Sequence, residues 1–422
     1  MGFFSHTPKE SMARSTAKLS EVLRERGYIY QHSSELIEIA DGPQRTVYQG
    51  FDPSADSLHV GNLMGLLVLR RFLEAGHKVI LVVGGGTGMI GDPSGKSEER
   101  TLLTPEQVAH NSKRIAAQAK NLFASGNFQM VNNADWLGKT KLLEFLRDIG
   151  KNFSVNAMIQ RDSVKERLEG REQGISYTEF SYMLLQAYDF LYLNEHYGCN
   201  WQHGSSDQWG NIVSGIDLIR RQTGKTAYGT THALLINKAT GKKFGKTEGG
   251  AVWLDPEKTS PFLFYQFWVN TDDADVEEYL LKMTLVSKTD IDMIMADQLK
   301  NPARRVAQKK LALEVTALVH GEREAQKVRD TSEALFSGNP SAAASDNVPE
   351  ITVMSGVSLL STLFSAQARE ILGVSNTEIR RLLEQGAIAE IGGGKITDDN
   401  FRIDHSMTVR IGKHRFLKVT VK

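Results

Sequence analysis

Residues 45–85 read RTVYQGFDPSADSLHVGNLMGLLVLRRFLEAGHKVILVVGG, and they decide the fold. RTVYQGF is a β-rich run, LMGLLVLRRFLEAGH has helical spacing, and KVILVVGG is again β-rich, so the segment reads as strand, helix, strand. Later come FQMVNN, read as a strand, and KLLEFLRDIG, read as a helix. This alternation from 45 to about 235 predicts an α/β domain with a parallel sheet. Glycines and Asp-Pro pairs sit just after the strand-like runs, in GFDPSAD and GGGTGMIGDPSG. That is the carboxyl edge, where open α/β sheets bind ligands.

The rest of the chain changes character. Residues 234–255, LLINKATGKKFGKTEGGAVWLD, are rich in lysine and glycine between apolar anchors and read as a tethered mobile loop. Helical spacing alone follows to about 336, and SGNPSAAASDNVPE, 337–350, reads as a linker. Residues 351–422 mix one helix, NTEIRRLLEQG, with alternating runs, which predicts a small α+β module. The expected boundaries are 1–233, 234–260, 261–336, 337–350 and 351–422.

Composition constrains function mainly by what it lacks. With 422 residues, 41% hydrophobic and 24% charged, the chain can bury real cores, and its length favours more than one domain. Fifty basic residues balance fifty acidic ones, so an electrostatic site has to be local. The single cysteine, Cys199, makes neither an intramolecular disulfide nor a zinc cluster, and no metal-ligand set stands out. Neither a signal peptide nor a membrane span is evident, so a cytoplasmic location without membrane partners is expected.

Three constellations carry chemistry. In SLHVGNL, 57–63, His59 and Asn62 flank Gly61 at the start of a helix. A bland reading makes His59 a helix-start residue; the functional one has Gly61 admit a phosphate chain to which His59 and Asn62 donate, helped by the helix amino end. In KKFGKT, Lys243 and Lys246 bracket Phe244 and Gly245; singly they are ordinary surface lysines. The helix YTEFSYMLLQAYDFLYL is apolar nearly all round, yet Tyr182, Gln186 and Asp189 form one polar stripe. They serve either a buried structural network or a small polar ligand, with Asp189 accepting from a phenol.

His-x-Gly-Asn after one strand and Lys-Phe-Gly-Lys-Thr about 180 residues later resemble the two signatures of class I aminoacyl-tRNA synthetases. With GFDPSADSLHVG, GDPSGKSEER, SYMLLQAYDF, GSSDQWGN and KKFGKTEGGAVWLDPEKTSPFLFYQFW, the chain resembles the bacterial-type tyrosyl-tRNA synthetase family over nearly its whole length. The resemblance implies a Rossmann-like catalytic domain, a helical anticodon-arm domain and an RNA-binding module. It further implies activation of L-tyrosine by ATP, transfer to the 3′ end of tRNA(Tyr), Mg²⁺ carried on the ATP phosphates, and a homodimer joined near LRDIGKNFSVNAMI, 146–159.

Carried over residue by residue, Tyr48 and Asp189 hold the substrate phenol, and Tyr182, Gln186 and Asp92 its ammonium group. Asp52, Gln202, Asp207 and Gln208 surround the tyrosine carboxylate and the adenylate ribose, with Gln208 assigned to tyrosine. Ser54, His59, Gly61 and Asn62 serve the phosphates, joined by Lys96, Arg100, Lys243, Lys246 and Thr247 from loops. Two positions depart from the family pattern. Asn62 replaces a second histidine, and Ser205 stands in GSSDQ where a glycine is usual, close to the adenosine. Six Lys or Arg against Asp404 in 401–422, together with Arg380 and Arg381, mark an RNA face on which Arg410, Lys413 and Arg415 also fall. The rivals are a tryptophan-specific synthetase, a small nucleotidyltransferase and an inactive RNA-binding scaffold.

Overall fold

The computed structural model describes residues 17–94, 102–123, 128–169, 174–238, 241, 244–247, 250–339, 345–412 and 414–422. They fall into two compact units, one drawn from Met1–Ser54, Val68–Ser112 and Phe123–Ala233, the other from Ala55–Leu67, Lys113–Leu122 and Leu234–Lys422.

The first unit is built on six strands: β1 (Gln31–His32), β2 (Thr46–Phe51), β3 (Lys78–Val83), β4 (Phe128–Asn132), β5 (Cys199–Ser205) and β6 (Tyr228–His232). Their order is β1-β6-β5-β2-β3-β4, all parallel except for β1, which runs antiparallel to β6. The chain leaves β2 in one direction to β3 and β4, then returns to its other side through β5 and β6. The carboxyl ends of β2 and β5 therefore flank the point where strand order reverses, the usual ligand crevice of an open α/β sheet. Every residue of β2 except Gly50, and every residue of β3 after Lys78, is buried, as expected of strands covered on both faces. Their register places Tyr48 beside Ile80 and Gln202.

Over Tyr48 and Ile80 pack Ala187, Phe190 and Leu191 of helix α1 (Tyr177–Tyr197), with Leu218 and Ile219 of helix α2 (Trp209–Thr223). Ser176 caps α1 by accepting from the Glu179 N–H at 3.3 Å, and Gly198 ends it at φ +63, a conformation that favours glycine. The segment KLLEFLRDIG is helical but irregular: an α turn at Leu142–Glu144 widens to a π turn at Phe145–Ile149 and tightens to a 3₁₀ turn at Gly150–Asn152. Leu142, Leu143, Leu146, Val155 and Ile159 are exposed along it and its continuation.

In the second unit a short hairpin, β7 (Lys246–Thr247) with β8 (Gly250–Ala251), precedes a helical stretch. That stretch includes α3 (Pro261–Val269), α4 (Val306–His320) and α5 (Glu322–Phe336). A five-stranded sheet, β12-β11-β14-β15-β9, closes the chain. It comprises β9 (Glu350–Val353), β11 (Ile388–Glu390), β12 (Lys395–Ile396), β14 (Met407–Ile411) and β15 (Arg415–Val421). The small pair β10 (Val357–Ser358) and β13 (Arg402–Ile403) stands beside it in sequence. Helix α6 (Asn376–Glu384) contributes Ile379, Leu382 and Leu383 to this module's own core. Among the described residues no helix is long and apolar enough to cross a membrane.

Candidate functional site

The stripe on α1 faces a buried polar network. Asp189, 4% exposed, accepts from Trp136 Nε1 at 2.7 Å through Oδ1 and from Asn133 Nδ2 at 2.9 Å through Oδ2. Asn133 also donates to Thr87 Oγ1 at 2.9 Å and accepts from the Gly86 N–H at 2.7 Å. Thr87 donates to Asp52 Oδ1 and Tyr182 to Asp52 Oδ2, each at 2.8 Å. One connected chain therefore runs Trp136, Asp189, Asn133, Thr87, Asp52, Tyr182. A second runs from Asp92, which accepts from Gln208 Nε2 at 2.6 Å, through Asn211 to Gln186, whose Oε1 accepts from Asn211 Nδ2 at 2.9 Å.

Tyr48 breaks this rule of satisfied groups. It is 2% exposed, its ring lies 5.2 Å from that of Phe190, and its hydroxyl has no hydrogen-bond partner among the described residues. A buried hydroxyl left unpaired costs about 1–3 kcal/mol, which makes Tyr48 a candidate to bond a ligand hydroxyl. Burial, then the neighbouring Asp189 charge, push the Tyr48 phenol well above its ordinary range. Burial also raises the Asp189 carboxyl to about 7, against the lowering effect of its two donors. The Tyr182 phenol is raised by burial and then by the Asp52 and Asp92 charges. Both tyrosines stay protonated at neutral pH and can donate. Gln202 Oε1 is also buried with no partner among the described residues.

At the end of β5, Ser205 is bonded through its hydroxyl to Asp207 Oδ1. The strand behind it is tied to β6 through Trp201 Nε1, which donates to Thr230 Oγ1 at 2.8 Å. Thr230 Oγ1 lies 2.9 Å from His203 Nδ1, and His203 Nε2 lies 3.0 Å from His232 Nδ1. Burial, then the neighbouring His232, hold His203 well below the ordinary histidine range, so the His203 ring is neutral.

The signature residues His59, Gly61 and Asn62 form their own tight constellation in the second unit. The Gly61 N–H donates to His59 Nδ1 at 3.0 Å, and Asn62 Oδ1 accepts from the His59 N–H at 3.0 Å. A Cβ at Gly61 would come 2.8 Å from the imidazole, so only glycine lets the ring fold back over the turn. The Val60 N–H donates to the Val252 carbonyl and the Leu254 N–H to the Leu58 carbonyl, which lays Val252–Leu254 along this turn. His59 packs edge-on to Trp253 at 6.1 Å. The hairpin leads into that stretch: Lys246 pairs with Ala251 and Thr247 with Gly250, and Val252 donates to the Gly245 carbonyl. Gly245 has φ +87, and a Cβ there would press on Val60 and Gly61. The two signatures, distant in sequence, thus share one piece of backbone. Ser54 is exposed at the loop after β2.

Lys96, Arg100, Lys243 and Lys413 lie outside the described residues. Of the basic C-terminal positions, Arg381, Arg410 and Arg415 line a cavity of about 1170 Å³, joined from the helical side by Arg304, Arg305 and Lys309. Arg381 is already paired with Glu378 at 2.7 Å, and the Arg380 guanidinium lies over the Phe364 ring. Sequence reasoning missed Asn133, Trp136 and Thr87 around the stripe. The available signal was their position: NNADW and GGGTG follow strands at the carboxyl edge.

Residues 41–337 match the model of the class I tRNA synthetases, W and Y. A tyrosine–tRNA ligase of Roseiflexus castenholzii is 49% identical over 383 residues, covering 87% of this chain and 89% of that protein. The chain belongs to this family, among its tyrosine–tRNA ligases. Another member, from Lactobacillus johnsonii, is 45% identical over 421 residues, 95% of this chain and 98% of that one. A C-terminally truncated mitochondrial tyrosyl-tRNA synthetase from Aspergillus nidulans superimposes with a TM-score of 0.69 at 34% identity, covering 76% of this chain and 94% of that structure.

Proposed function

We propose that this tyrosine–tRNA ligase selects L-tyrosine through the Tyr48 and Asp189 pair, and that the two signature segments stabilise the departing pyrophosphate. The observation that carries the reading is the unpartnered Tyr48 hydroxyl, buried in the field of a carboxylate whose two oxygens are already aimed by Asn133 and Trp136. A substrate phenol completes this set by donating to Asp189 and accepting from Tyr48. A substrate without the hydroxyl leaves both groups unpaired.

Tyr182, Gln186 and Asp92 then receive the substrate ammonium. Asp52, Gln202, Asp207 and Gln208 surround its carboxylate and the ribose of ATP. Attack of the tyrosine carboxylate on the α-phosphorus forms the acyl-phosphate bond and expels pyrophosphate with the bonding electron pair. The tRNA terminal hydroxyl afterwards displaces AMP. The first displacement needs positioning and positive charge more than a general base. His59, Asn62 and the Gly61 backbone, with Ser54, Lys96, Arg100, Lys243, Lys246 and Thr247, supply the phosphate contacts. Mg²⁺ enters with the nucleotide as part of the substrate.

Arg380, Arg381, Arg410, Lys413 and Arg415 bind tRNA(Tyr), chiefly through phosphate charge. The segment 146–159, with Leu146, Val155 and Ile159 exposed, forms a homodimer contact in a cytoplasmic enzyme. A monomer mass of 46.9 kDa in sedimentation at micromolar protein removes the dimer. The primary test is ATP–pyrophosphate exchange with tyrosine, phenylalanine and tryptophan, on wild type and on Asp189→Ala. Tyrosine alone should support exchange, and the variant should lose it while remaining folded. Exchange with tryptophan, or unchanged kinetics in the variant, overturns the assignment.

A further inference from the structure

Ser205 occupies a place where a glycine would be expected, and its neighbours say what the extra atoms do. Its backbone is extended, φ −76 and ψ 162, at the entrance to the 3₁₀ turn Ser206–Gln208. Serine at such a position ordinarily accepts a hydrogen bond from the N–H groups of the turn. Here it makes no such cap. Its hydroxyl instead bonds forward to Asp207 Oδ1. A carboxylate only accepts, so the hydroxyl is the donor, and the bond is charge-assisted.

The platform beneath is fixed. Ser205 pairs with His232 in the β5–β6 ladder, and the residues two and four positions back, His203 and Trp201, are joined to β6 through Thr230 and His232. Trp201, His203 and Ser205 share one face of the strand, since side chains alternate. A hydroxyl presented from a strand held this firmly orients its acceptor rather than following it.

We infer that Ser205 is a positioning residue for ATP: it fixes the rotamer of Asp207 so that the carboxylate meets a ribose hydroxyl, without itself touching the nucleotide. The inference rests on the assignment of Asp207 to the ribose.

The test measures KM for ATP and for tyrosine in pyrophosphate exchange, for wild type, Ser205→Ala, Ser205→Gly and Ser205→Thr, with ATP, 2′-deoxy-ATP and 3′-deoxy-ATP. Thermal unfolding confirms that each variant is folded. Alanine and glycine should each raise KM for ATP about tenfold, the usual effect of losing one hydrogen bond to a charged group, with KM for tyrosine within about twofold of wild type. Threonine, which keeps the hydroxyl, should restore the wild-type value. The penalty should shrink to under about twofold with at least one deoxy-nucleotide, because the partner of Asp207 is then already missing.

An unchanged or lower KM for ATP in Ser205→Ala overturns the inference, as does a penalty that persists with both analogues, or a threonine variant that behaves like alanine. Asp207→Ala separates this failure from that of the underlying assignment. If it leaves KM for ATP intact, Asp207 does not hold the ribose. If it raises KM strongly while Ser205→Ala is silent, only the serine's role falls.

Discussion

The pocket proposed for tyrosine and the signature turn are made of opposite materials. The pocket is made of buried side chains on helices and strand ends, with donors and acceptors matched in a connected network and the Tyr48 hydroxyl left open. The turn is made of backbone, two glycines that admit close approach, and a histidine whose ring folds back to accept from the Gly61 N–H. In the proposed function the first recognises a neutral hydroxyl, where a single unmatched group decides. In the same proposal the second meets charge that develops during reaction, where many modest contacts add. The proposed function therefore assigns selectivity to the first region and rate to the second.

The sharpest way to break this division is Asp189→Ala. It should lower kcat/KM for tyrosine on the order of 10³-fold, since a buried charge-assisted bond is lost and Tyr48 stays orphaned. A comparable loss in tyrosine binding from a signature variant would erase the distinction. Next in size, Lys246→Ala and Gly61→Ala should each slow adenylate formation about 10²-fold in single-turnover assays while leaving tyrosine Kd within about twofold. The glycine variant acts by displacing the His59 ring, so a weakened tyrosine Kd with normal turnover would contradict the assignment.

Trp136→Phe sharpens the comparison from within the pocket. It removes one donor from Asp189 and should weaken tyrosine binding about tenfold in equilibrium titration. The Asp189 carboxyl, at about 7 in the empty site, predicts a proton signature too. A phenol donating to the carboxylate favours its anion, so binding at pH 7 should release roughly half a proton, read by calorimetry in buffers of different ionisation enthalpy. Proton uptake instead would mean that the protonated carboxyl donates to the ligand.

The smallest effect concerns stability. His203 is buried neutral, its folded pKa lying below the ordinary 6.5. As pH falls through about 6.5, the unfolded chain takes up a proton that the folded one refuses, so stability is full above that range and lost below it. Between pH 7 and pH 5 this one group should account for about 1–2 kcal/mol. His203→Gln should show a shallower acid decline in denaturant titrations, and an equally steep one would place the sensitivity elsewhere.

The strand and helix runs of 45–85 were legible because periodicity and burial agree there, and the α1 stripe because i, i+4 and i+7 share a helix face. The partners of that stripe were not. Asn133, Trp136 and Thr87 come from turns after two other strands, and nothing in their spacing ties them to Asp189 or Asp52. The fold-back of His59 was equally hidden, since it depends on where a ring sits relative to its own backbone. The irregular helix at 142–152 shows the limit from the other side: helical spacing indicates a helix but not a turn that widens.

The chain of bonds from Trp136 to Tyr182 also bears on redesign. Because each carboxylate in it is oriented by neighbours that are themselves oriented, the proposed role of Asp189 implies that accepting a side chain with no hydroxyl takes more than exchanging that one residue. Asn133, Trp136, Thr87, Asp52 and Tyr182 would need to be re-chosen together, or the vacated polar atoms would undo whatever space had been made. Conversely, an analogue that keeps the para oxygen and alters the ring edge leaves that grid intact, and is the gentler route to a changed amino-acid diet.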